Sequence, residues 1–168
     1  TSVVAASYNI TARSIAPGLV AAGSNVAVPS NGVVANFLAG DKFTNTGALP
    51  LTVTYTVVGI SGAGCVGPPQ VITVTIDPEP VASTTLDLTQ CSDLAIGLTL
   101  NTNGTSVAAA NYNVTARSVS AGLTIGAGNA VITATGVAAN YLANDVYTNT
   151  GASPLTVTYT IVPVSAAG

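Results

Sequence analysis

Residues 1–64 align without gaps onto residues 105–168 at an offset of 104, and 37 of the 64 positions are identical. SYNITARSI (7–15) matches NYNVTARSV (111–119), and FTNTGALPLTVTYTVV (43–58) matches YTNTGASPLTVTYTIV (147–162). A period this long is far beyond a solenoid coil and is the size of one β-sandwich domain. The sequence therefore predicts two tandem domains, residues 1–80 and residues 81–168. The first has no counterpart of residues 81–104, so it lacks its first strands. The second stops before the counterpart of Cys65 and so lacks its last strand. An excerpt from a longer array of repeats is the expected explanation, with strand exchange between subunits as the alternative. Asp77-Pro-Glu-Pro-Val81 marks the boundary. Two prolines in four residues favour extended backbone and give no ladder donors, which makes a short, stiff linker.

Between turn signals the chain alternates with period two, the signature of strands with one packed and one wet face. Strands are expected at Thr84–Gln90, Leu94–Asn101, Tyr112–Val119, Leu123–Ile125, Ala130–Thr133 and Leu155–Val162. In the first copy the Leu155–Val162 counterpart is followed by a strand with Ile72, Val74 and Ile76 inward. Tyr112, Val114 and Ala116 are assigned inward, and Asn113, Thr115 and Arg117 outward. Asn103-Gly104 is a turn signal, Gly136 another, and residues 137–144 are compatible with a helical turn. The fold class is all-β, with tandem antiparallel immunoglobulin-like β-sandwiches.

Charge excludes several functions. Only 5 % of residues are charged, against about 25 % in an ordinary soluble domain. Arg13, Lys42 and Arg117 are the only basic residues, so no phosphate-neutralising patch can be assembled and nucleic acid is not a partner. Trypsin has three sites. No run of about 18 apolar residues suggests a membrane helix, and residues 1–10 do not resemble a signal peptide. A surface of hydroxyls and amides suits an extracellular or cell-surface protein.

Histidine is absent, which removes the commonest general base and metal ligand. The six acids form no paired motif and no calcium loop. The chain is read as no enzyme, with no cofactor and no metal. Asp77 and Glu79 are read as linker polarity, the threonine rows as solvent faces, and Tyr8, Tyr55, Tyr112 and Tyr159 as core. Asn9, Asn103 and Asn113 head glycosylation-type triplets that a sequence rich in Asn and Thr produces by chance. One charged pair recurs in both copies: Arg13 with Asp41, and Arg117 with Asp145. Each pair is expected to meet within its own domain. Cys65 and Cys91 are disulfide candidates, since secreted modules usually oxidise their cysteines. They are not expected to pair with each other. Two strands and the linker separate them by about 40 Å in an end-to-end arrangement, whereas a disulfide needs Cα atoms within about 7 Å. Their expected partners lie outside this segment, and whether each bridge closes one domain or clasps neighbours stays open.

CSDLAIGLTLN (91–101), NYNVTARS (111–118), NDVYTNTGASPLTVTYTIVPVS (144–165) and GCVGPPQVITVTIDPEPV (64–81) resemble the PKD-like, immunoglobulin-like repeats of very large secreted Bacteroidota proteins, adhesins among them. The resemblance covers nearly the whole chain. It implies extracellular spacer or adhesive modules, often exported by type IX secretion, and it brings no catalytic residues. The expected role is a structural stalk or fibre repeat that spaces or presents adhesive regions. A glycan-binding or other ligand-binding module is the alternative. The expected partners are neighbouring repeats, with lateral self-association into a filament as a further option.

Overall fold

The computed structural model describes residues 3–167, and among them every regular element is a strand and every ladder is antiparallel. The chain divides into two compact units, Thr1–Pro78 and Glu79–Gly168. The first contains β1 (Ala5–Ile15), β2 (Leu19–Ala21), β3 (Ser30–Val33), β4 (Phe43–Asn45), β5 (Leu51–Ser61) and β6 (Val66–Ile76). Its larger sheet runs β3-β1-β5-β6, and β2 pairs with β4 in a second sheet. β5 forms because LTVTYT alternates strictly. Val53 and Tyr55 point inward at 0 % and 3 % exposure, while Thr52 faces water. These two pack with Ile10 of β1 against Leu19 of β2 and Phe43 of β4. The core thus lies between two facing antiparallel sheets, the layout of a PKD-like β-sandwich.

The second unit contains β7 (Asn111–Val119), β8 (Leu123–Ile125), β9 (Ala134–Val137), β10 (Tyr147–Asn149) and β11 (Val157–Val164). Its sheets run β11-β7-β9 and β10-β8. Leu100, Tyr112, Val114 and Leu142 form the core.

A bulge reverses one sequence-based assignment. In β7, Val114 faces Ile161 and Ala116 faces Thr160, so Thr115 is an extra residue without a partner. Inserting one residue moves everything beyond it to the other face. Ala116, expected inward, is exposed, and Arg117, expected outward, turns in with a side chain 16 % exposed. β1 carries the same irregularity at Thr11, between Ile10 and Ala12.

Other expectations also change. Thr84–Gln90 and Leu94–Asn101 are not strands; single bridges tie Ala82 to Thr102 and Ala95 to Val146. The second segment packs Ile96, Leu98 and Leu100 against the core, but Gly97, at φ 66°, interrupts its extended backbone. Its partner, residues 138–145, is a series of tight turns closed by Tyr141 N–H to Ala138, Ala143 N–H to Asn140 and Asp145 N–H to Leu142. Such a segment offers carbonyls too irregularly for a ladder. The short strand expected at Ala130–Thr133 lies instead at Ala134–Val137 and includes Gly136, because Thr133 takes a left-handed φ of 69° that breaks extended backbone. Asn103-Gly104 does form a turn. Gly104 sits at φ 79°, and Asn103 Oδ1 accepts from the N–H groups of Thr105 and Ser106. Ile72 and Val74, assigned inward on β6, are 44 % and 40 % exposed, because the space they face is an open groove.

Candidate functional site

The bulges bring scarce charge into the interior. β1 carries Arg13 inward beneath residues 26–41, and Arg13 Nη1 lies 3.2 Å from Asp41 Oδ2. The same nitrogen donates to the carbonyl of Val26 at 3.1 Å. Asp41 Oδ1 accepts the Val26 N–H at 2.8 Å, and its Oδ2 accepts the Tyr55 hydroxyl at 2.7 Å. One carboxylate therefore ties β1, β5 and the loop before β3 together.

The second unit repeats the arrangement. Arg117 Nη1 lies 3.8 Å from Asp145 Oδ2 and donates to the Ala130 carbonyl at 3.4 Å. Asp145, 1 % exposed, accepts the Ala130 N–H at 2.6 Å and the Tyr159 hydroxyl. Phe43 of the first unit is replaced here by Tyr147, whose hydroxyl joins both Tyr159 and Asp145.

Burial, with the neighbouring carboxylate second, pushes the Tyr55 hydroxyl up from 10.0 to about 12. Tyr159 is raised further for the same reasons, with Tyr147 contributing, and Tyr112 is raised by burial. The tyrosines are held as proton donors to a buried anion, so the network is cohesive and contains no activated nucleophile.

Asparagines that sequence reasoning did not single out complete the frame. Asn25 pairs with both backbone groups of Lys42, and Asn129 with both of Val146, at 2.7–2.9 Å. Each side chain thereby imitates a strand neighbour. Asn45, 0 % exposed, donates to the carbonyls of Leu49 and Ile76 and accepts from Gly47. The signal available for them was recurrence, since both Asn25 and Asn45 reappear at an offset of 104.

Cys65 and Cys91 are both exposed and both free. Cys65 follows the turn between β5 and β6. Its N–H donates to Ser61 Oγ, and its carbonyl accepts the Ser61 N–H. The threonines lie on the outer face of β5 and β6, where Thr52 sits opposite Thr75 and Thr54 opposite Thr73. Among the described residues no three His, Cys, Asp or Glu side chains cluster as a metal site, and no helix is long and apolar enough to cross a membrane.

A family model described as a PKD-like domain matches residues 21–80. No curated protein matches the chain, and no solved structure does. The matched stretch falls almost wholly within the first unit and supports a PKD-like, immunoglobulin-like domain there. Such domains generally occur in extracellular proteins as structural or adhesive modules, and they are typically non-catalytic.

Proposed function

We propose that the chain is a stretch of a structural stalk or fibre, in which PKD-like repeats space or present adhesive regions of a Bacteroidota surface protein exported by type IX secretion. The single observation that carries this reading is the duplicated network. Four of the chain's nine charged side chains, two of its three basic ones among them, are spent inside the units with a tyrosine each, on Arg13–Asp41–Tyr55 and Arg117–Asp145–Tyr159. A repeat built to hold its own shape needs such interior ties, whereas a repeat built to bind polar ligands would place them on loops. The loops at 126–130 and 149–153 carry no aromatic residue, which speaks against the glycan-binding alternative.

In this reading residues 1–80 and 81–168 are successive repeats, the proline linker stiffens the joint, and Cys65 and Cys91 form bridges to cysteines beyond this segment. Neighbouring repeats are the primary partners, with lateral association as a further step. Proteins containing two, four and six repeats, imaged by negative stain, should lengthen linearly with repeat number at constant width. Globular particles whose length does not follow repeat number would overturn the stalk.

A further inference from the structure

Asn-Gly occurs twice in the chain, at 31–32 and at 103–104. In this pair the asparagine side chain is open to attack by the backbone nitrogen that follows it, because glycine puts no Cβ beside the forming ring. The structure sets the two sites in opposite states. Asn31 lies in β3, extended and paired with β1. The Gly32 N–H donates to Asn9 Oδ1 at 2.8 Å, so the nitrogen that would attack is already held.

Asn103 lies in an exposed turn outside the strands. Beyond its chain neighbours, no atom among the described residues lies within 4 Å of where a Cβ would stand at Gly104, and none accepts the Gly104 N–H. Asn103 Oδ1 accepts the N–H groups of Thr105 and Ser106 at 3.0 and 2.9 Å. Two backbone donors on one carbonyl oxygen draw electrons from its carbon, and they are placed to stabilise that oxygen once it carries negative charge. A free nucleophile and a polarised electrophile therefore sit on adjacent residues, already joined by the chain.

We infer that Asn103 is a site of spontaneous covalent modification whose only co-reactant is water. The Gly104 nitrogen gives its proton to solvent and bonds to Asn103 Cγ. The Cγ–Nδ2 bond then breaks, and Nδ2 takes up a proton and leaves as ammonia. Water opens the resulting succinimide at either carbonyl. Cleavage of the new bond from Cγ to the Gly104 nitrogen gives aspartate on the original main chain. Cleavage of the bond from the Asn103 backbone carbonyl to the Gly104 nitrogen gives isoaspartate, whose main chain runs through Cγ and is longer by one methylene. Aspartate keeps the turn, since a carboxylate accepts from the same two N–H groups. Isoaspartate pushes Ser106 away from Val81, whose N–H donates to Ser106 Oγ at 3.0 Å, and disturbs the 3.0 Å bond from the Asn103 N–H to the Val81 carbonyl. The modification thus loosens the start of the second unit, in one direction and at a rate set by the turn.

The test holds the full chain in mildly alkaline buffer and follows both sites by tryptic mapping of denatured samples. Asn31 and Asn103 fall in separate limit peptides, 14–42 and 43–117. Exchange of –NH2 for –OH is read by mass and located by fragmentation. In the folded chain Asn103 should convert at least about tenfold faster than Asn31, where a hydrogen bond within a paired strand must open first. In urea the two rates should converge, because the dipeptide is the same, and Asn103 should convert no faster there than when folded. Asn9→Ala, which frees the Gly32 N–H, should raise conversion at Asn31 severalfold and leave Asn103 unchanged. Amide exchange at Val81 and Ser83 should quicken in the isoaspartate form. Equal rates at the two sites in the folded chain would overturn the inference, as would an Asn103 that converts more slowly folded than in urea. Conversion at Asn31 indifferent to Asn9→Ala would overturn the protection on which the contrast rests.

Discussion

Asp41 and Asp145 are buried acids in a chain with almost no charge to spare, and each is matched by donors from three directions. Such a carboxylate is tolerated only while those donors remain, because an uncompensated partner left inside is costly. Asp145→Ala would strand Arg117, the Ala130 N–H and the Tyr159 hydroxyl together. It should destabilise the second unit by about 3 kcal/mol or more in urea unfolding. A loss under about 1 kcal/mol would reduce the network to surface decoration. The tyrosines give a pH signature. The folded chain holds the Tyr55 proton to about pH 12, whereas the unfolded chain releases it near 10.0. The stabilisation from that difference is therefore complete below pH 10 and disappears as pH rises from 10 to 12. Tyr159 acts in the same direction. The urea midpoint should fall steeply across that range, and Tyr55→Phe should flatten the slope while lowering stability at neutral pH by about 1 kcal/mol.

At the scale of elements, the two units give a paired comparison of one wall, residues 139–149 and their counterparts 35–45, with and without a cover. Leu142→Ala removes a fully enclosed side chain and should cost about 3 kcal/mol, since a cavity remains where the segment at 94–101 holds the wall in place. Leu38→Ala, at the equivalent half-buried position, should cost less than half as much by the same urea measurement. Equal costs would mean that residues 94–101 do not seal the core. The strict alternation of LTVTYT made β5 legible, because every second residue there is Val, Tyr or Leu. The bulges at Thr11 and Thr115 were not legible. Thr fits either face of a strand, and the doubled residue shows only in the partner's register, Ile10 to Val57 and Ala12 to Thr56. The segment at 94–101 has strand-like composition, but a ladder needs a regular neighbour, and the stretch beside it, residues 138–145, is a chain of turns. Composition reports what a segment can do; register depends on what lies beside it. In the network, Arg13 and Asp41 were marked by scarcity and recurrence, while Tyr55 was read only as core, because a phenol that packs and donates at once leaves the same trace in sequence as one that only packs.

For the whole molecule, the placement of three basic residues decides how the chain meets proteases. Trypsin can cut only after Arg13, Lys42 and Arg117, and it needs several residues of backbone drawn out into its cleft. Arg13 sits within β1, paired with both β3 and β5, and Arg117 within β7, paired with β9 and β11. Both guanidinium groups are turned inward to a carboxylate. Cutting at either requires opening a sheet and its core together, which places these sites near the most stable end of local unfolding. Lys42 is exposed and lies outside any strand, just before β4. It is still tethered, since its carbonyl accepts from Ala22 N–H and Asn25 Nδ2 and its N–H donates to Asn25 Oδ1. Releasing it means losing a few loop hydrogen bonds while both sheets stay paired. Folded chain should therefore be cut first and slowly after Lys42, giving fragments 1–42 and 43–168 by mass spectrometry. Asn25→Ala should speed that cut severalfold by freeing the Lys42 N–H and leaving its carbonyl only the Ala22 N–H, with no gain in cleavage after Arg13. Chain unfolded in urea should yield all four limit peptides together. Early cleavage after Arg117 in the folded protein would mean that β7 opens more readily than the loop before β4, which would contradict the central position of that strand and the burial of its arginine.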